Sequence, residues 1–117
     1  MDNRKRLREY LKGYRMWQAQ ARDIERALAG GEVLDSLRGL LAKSRDEFIG
    51  KCRNVQIILG YAKSGLERRI LNLLYIEGKS MTSISRELGY SKGYCANIEL
   101  KVLGGMSENT EIMQMLQ

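Results

Sequence analysis

Lys92 and Asn97 are the side chains in this chain whose chemistry best suits reading another molecule. They lie in the segment Ser80 to Leu103, SMTSISRELGYSKGYCANIELKVL. A lysine ammonium donates to guanine or to a phosphate, and an asparagine amide pairs bidentately with adenine. Ser91, Lys92, Gly93, Ala96 and Asn97 are expected to face outward from one helix. Gly93 and Ala96 have little side chain, so such a helix can lie close to a groove floor. Tyr94 offers a hydroxyl to phosphate. Lys79, Ser80, Arg86 and Lys101 are candidates for the sugar–phosphate backbone, where contacts position without specifying sequence. Glu99 would repel phosphate and is expected to point away from the duplex.

Positioning those groups requires two short helices packed against each other. Ile84, Leu88, Tyr90, Cys95 and Ile98 fall where such a pair buries side chains, and Ser85 is small where the helices approach. Gly89 sits at the turn, where positive φ is easiest for glycine. Ser91 follows as an N-cap. The pattern predicts a helix-turn-helix, with helices over about Met81–Leu88 and Lys92–Leu103 and with Gly104-Gly105 ending the second. Such a unit lays its second helix in the major groove of DNA. A further helix, Leu66 to Ile76, precedes it with Leu66, Ile70, Leu73 and Leu74 inward, and Glu77-Gly78-Lys79 turns the chain. Arg68 and Arg69 on that helix are expected near phosphate or in surface pairs with Glu67 and its neighbours, and are left out of the site.

The first half reads as two long helices. From about Asn3 to Ala29, Leu7, Tyr14, Ala21 and Leu28 repeat at sevens, and Tyr10, Trp17 and Ile24 fill the partner position. The aromatic stripe is read as core. Gly30-Gly31 ends this helix. The second is expected from about Glu32 to Ala62, with Leu34, Leu41, Phe48, Val55 and Ala62 at one seam position and Leu37 and Ile58 at the other. Ser44 and Lys51 interrupt the seam, and Leu40, Ile49, Cys52 and Leu59 widen it. A short Gly-Gly turn between heptad helices favours an antiparallel hairpin. Two helices alone bury little, so the C-terminal part or a second subunit must cover them. Lys63-Ser64-Gly65 is a plausible boundary.

The 117 residues include no proline, which suits uninterrupted helices. With no histidine, the usual general base and the commonest metal ligand are missing. Asp46 and Glu47 are sequence neighbours and diverge on a helix, and no phosphate-binding glycine loop is present. Catalysis, cofactors and metal sites are therefore not expected. Cys52 and Cys95 stand far apart and read as reduced thiols. No apolar run approaches the roughly 20 residues that span a bilayer, and the basic start lacks a secretory apolar stretch. A cytoplasmic protein is expected. The formal charge of +6 points to an anionic partner. Residues 1–29 carry eight Lys/Arg against four Asp/Glu, so much of the excess lies outside the helix pair.

Leu66 to Leu103, LERRILNLLYIEGKSMTSISRELGYSKGYCANIELKVL, resembles region 4 of sigma-70-type factors. YIEGKS (Tyr75 to Ser80) and ISRELGYS (Ile84 to Ser91) carry the likeness. With a charged helical hairpin ahead of it, the chain is most similar to the RinA/ArpU-like regulators of phages and prophages of Gram-positive bacteria. The resemblance implies a DNA-binding transcriptional regulator and RNA polymerase as an additional partner. The chain departs from the pattern at Met81, where an aromatic residue is common, and in having only Lys92 basic near the start of the second helix.

The expected fold is all-α: a long antiparallel helical hairpin (1–63) serving as a dimerisation or coiled-coil element, a sigma region-4-like helix-turn-helix domain of short helices (64–105), and a tail (106–117) that either docks as a short helix or frays. The expected partners are double-stranded DNA, RNA polymerase and a second copy of the chain, with no membrane. The competing expectations are a protein-interaction module, RNA polymerase-binding or an adaptor, with the helical hairpin as its working surface, and, ranked last, a phage DNA-packaging subunit.

Overall fold

The computed structural model describes residues 2–31 and 33–117, and the chain is all-α. Helix α1 (Asn3–Lys12) starts under the Asp2 carboxylate, which accepts from the Arg4 N–H, and α2 (Tyr14–Ala29) follows after a break at Gly13. The sequence pattern predicts one continuous helix here. The Trp17 indole lies against Gly13 where any Cβ would stand, so the packing of a side chain one turn later selects glycine. Tyr10 and Trp17 meet across the break with ring centroids 5.0 Å apart.

Helix α3 (Asp35–Leu59) runs back along α2. The Arg38 guanidinium donates to the Leu28 carbonyl, the Cys52 thiol to the Tyr14 carbonyl, and the Asn54 amide to the Tyr10 hydroxyl. One partner number rises as the other falls, so the two helices are antiparallel. Glu32, the expected start of this helix, lies outside the described residues, and the helix ends at Leu59 instead of Ala62. Lys51, which breaks the heptad, places its ammonium 5.2 Å from the centre of the Trp17 ring. That contact gives a cation a place in an otherwise apolar seam.

Burial along the hairpin is uneven. Leu7, Tyr14, Ala21, Val55 and Ile58 are buried. Leu34 and Leu37, expected in the seam, are exposed, and so is Leu40, with Leu34 at 70 % and Leu40 at 64 %. The reason is geometric. α2 has already ended at Ala29, so it does not cover Leu34 and Leu37 at the start of α3, whereas Leu40, level with the last turn of α2, is on the side of α3 open to solvent.

Beyond the hairpin, Ser64 caps α4 (Gly65–Leu71) through the Glu67 N–H, and one π-helical turn continues it over Asn72–Ile76. The wide turn changes the facing of the chain. Leu71 and Tyr75 join the main core, while Leu73 joins a second cluster. Helices α5 (Met81–Leu88), α6 (Lys92–Met106) and α7 (Thr110–Met115) follow. The main core gathers Leu7 and Leu11 of α1, Val55 and Ile58 of α3, Leu103 and Met106 of α6, and Ile112 of α7. Side chains from both sides of Lys63 thus share one interior.

One C-terminal boundary differs from expectation. α6 continues through Gly104-Gly105 to Met106. Each glycine costs about 1 kcal/mol in a helix. Burying Met106 returns roughly 1.5–3 kcal/mol and keeps the helix going. The tail forms a helix. Asn109 caps α7 through the Ile112 N–H, Ile112 is fully buried, and the Asn54 amide donates to the Met115 carbonyl.

Candidate nucleic-acid interface

The second apolar cluster holds α5 and α6 together. Ile70, Leu73, Ile84 and Cys95 are its buried members, with Met81, Leu88 and Ile98 packed around them. The connection between the two helices is set by hydrogen bonds. Gly89 is left-handed at φ 77°, and the N–H groups of Gly89 and Tyr90 both donate to the Ser85 carbonyl. An alanine there would meet no neighbour, so backbone conformation alone demands the glycine. The Ser91 hydroxyl then accepts from the Tyr94 N–H at 3.1 Å and starts α6. Ser80 does the same for α5 through the Ser83 N–H at 3.1 Å. Both serines are engaged as caps, and each keeps a hydroxyl proton to donate outward.

Lys92 and Asn97 are exposed on α6, with Gly93 exposed between them and Ala96 half-buried. Tyr94 is exposed. Tyr90, expected inside, is exposed too and stacks on Tyr94 with centroids 5.0 Å apart. The correction has a plain cause: the left-handed Gly89 turns the chain outward just before the cap. The two tyrosines flank the Ser91 cap, Tyr90 just outside α6 and Tyr94 in its first turn. They put an aromatic surface at the start of α6.

The cations divide into two groups. Arg86, Lys92 and Lys101 are exposed and form no ion pair among the described residues. Lys79 is committed. Its ammonium lies 2.8 Å from Glu87 and 3.6 Å from Glu77. The hydrogen bond with Glu87 raises the lysine pKa and lowers that of the glutamate. Arg69 adds a longer contact to Glu87 at 3.8 Å. Lys101 stands apart from Lys92, bordering a groove of about 430 Å³ shared with Tyr61, Ile98 and Asn109. Lys92, Tyr94 and Asn97 are thus all exposed on the first half of α6, Arg86 lies on α5, and the charge of Lys79 is paired within the protein.

Glu99 faces inward at 6 % exposure. Its carboxylate accepts from the Arg8 guanidinium at 3.0 Å and from the Tyr75 hydroxyl at 2.7 Å. The hydrogen bond to Glu99 raises the Arg8 pKa, while burial first and Glu99 second hold the Tyr75 hydroxyl well above the ordinary tyrosine range. This link fastens α1 to the back of α6. Nothing in the linear pattern pairs residues 91 positions apart. Both cysteines are free, and burial pushes the Cys52 thiol up. No described helix is long and apolar enough to cross a membrane.

Comparison with protein-family models, curated proteins and solved structures returned no match.

Proposed function

We propose that this chain binds double-stranded DNA by laying the first half of α6 in the major groove, and that it acts as a transcriptional regulator of phage or prophage type in the bacterial cytoplasm. One observation carries the reading. The start of α6 presents an ion-pair-free Lys92 and an exposed Asn97, with Gly93 between them, on a helix whose entry is set by Gly89 and Ser91. Helix-turn-helix readers contact base edges from this part of the second helix. Arg86 on α5 is proposed to contact the backbone, and the hydroxyls of the Tyr90–Tyr94 pair to contact phosphate. The likeness of Leu66 to Leu103 to sigma region 4 supports the regulatory role and makes RNA polymerase an additional proposed partner. A homodimer is proposed through the hairpin, on the exposed Leu34, Leu37 and Leu40. No catalytic step is proposed.

The test is selection of bound duplexes from a random DNA library by the purified protein, beside a Lys92→Ala/Asn97→Ala variant. The expected outcome is a defined motif that the variant loses. Folded protein that enriches no motif would overturn the reading. Asn97→Ala alone should cost about 1–3 kcal/mol and relax preference at one base pair.

A second reading is a protein-interaction module. It is favoured by the apolar share of the same face, where Tyr90, Tyr94 and Leu100 are exposed. Salt separates the two. Affinity for DNA falls steeply with salt through counterion release, whereas an apolar protein contact changes little.

A further inference from the structure

The chain enters α5 beside an open cleft of about 440 Å³ that the N-terminal helices help to line. Arg8 and Lys12 come from α1, Arg15 from α2, and Gly78 and Lys79 from the turn that leads into α5. Glu99 also reaches this cleft, but it is paired with Arg8, and Lys79 is held by Glu77 and Glu87. Lys12 and Arg15 are the cations left over. Both are exposed, and neither forms an ion pair among the described residues. They are three residues apart across the break at Gly13, and they line the same cleft.

Arg15 does not simply wave in solvent. Its side chain lies against Gly78, where an added Cβ would stand 2.8 Å from Cδ and 2.9 Å from Cζ. Gly78 also has φ 70°, and that backbone conformation is what calls for glycine. The guanidinium is thereby set two residues ahead of the Ser80 cap.

We infer that Lys12 and Arg15 bind a phosphate of the DNA backbone beside the N-terminus of α5, so that the N-terminal helices grip the duplex together with α6. The inference rests on the DNA-binding reading above. In that docking the first helix of the pair crosses the sugar–phosphate backbone, which is where an extra cation pair is useful. The basic N-terminal third then has a role of its own, adding affinity without adding sequence preference.

The experiment measures affinity for a labelled duplex at several salt concentrations between about 50 and 200 mM. It compares the full chain, Lys12→Gln/Arg15→Gln, and a control, Arg22→Gln/Lys43→Gln, that removes the same charge from positions outside the cleft. The cleft variant should bind every sequence about ten-fold more weakly. Its plot of log affinity against log salt should be less steep by about 1–2, with sequence preference and melting temperature unchanged. The control should keep the original slope. An unchanged slope in the cleft variant, or an equal loss in the control, overturns the inference and leaves the major-groove reading standing. A changed sequence preference would assign these residues to bases and overturn it as well. A full chain that binds no duplex overturns both.

Discussion

Glu99 is the residue on which the most depends without touching a partner. Its carboxylate is buried and accepts from Arg8 and from Tyr75. A buried charge is tolerable when paired, and removing one partner strands it. Arg8→Ala should therefore lower unfolding free energy by about 2 kcal/mol, below the fully buried case because Arg8 is partly exposed. Adding Glu99→Leu should recover part of that loss, since no stranded carboxylate remains, although the buried Tyr75 hydroxyl then loses its acceptor. Urea denaturation of the two single variants and the double measures the coupling, and additive losses would show that the pair is not coupled. The Tyr75 hydroxyl gives the pH dependence. Its pKa is raised in the fold, so its contribution is complete below the ordinary value of 10.0 and declines as pH rises beyond it. Tyr75→Phe should flatten that alkaline decline in stability, at a cost of about 1 kcal/mol at neutral pH for the lost hydrogen bond.

At the scale of helices, glycines in this chain have opposite consequences. Gly50 sits inside α3 with nothing within 4 Å of its would-be Cβ. Gly50→Ala should stabilise the chain by about 0.5–1 kcal/mol through helix propensity. Gly13→Ala should destabilise it, because the new methyl meets the Trp17 ring. In a Trp17→Leu background the same change should become favourable, and thermal melts of the four chains would show the reversal. This contrast also marks what was legible in the sequence. The end of α2 at Ala29, the start of α5 under Ser80 and the start of α6 under Ser91 could be read because each boundary is written locally, by a glycine or a capping hydroxyl. The break at Gly13, the passage of α6 through Gly104-Gly105 and the π-helical turn at Asn72–Ile76 could not, because packing decides them. The candidate site divides in the same way. Exposure of Lys92 and Asn97 follows from helical periodicity, whereas the capture of Lys79 by Glu87 and the approach of Arg15 to Gly78 depend on chain segments meeting in space.

The molecule as a whole is elongated, 52 × 32 × 23 Å, with its main core where the hairpin meets α6 and α7. The opposite end of the hairpin presents Leu34, Leu37 and Leu40 to solvent. If those leucines close the proposed dimer, Leu37→Glu/Leu40→Glu should give a monomer by light scattering at micromolar concentration with little change in melting temperature. A dimeric variant would move the interface elsewhere. The leucine tip also has a consequence for the target. Two copies joined tip to tip would hold their α6 helices as much as roughly 100 Å apart, which along B-DNA is about 30 base pairs, or nearly three helical turns. Such a regulator would behave as a caliper. Its operator would be two short boxes on one face of the duplex with an unread stretch between them, and inserting half a turn of DNA into that stretch would disable it while a mutation there would not.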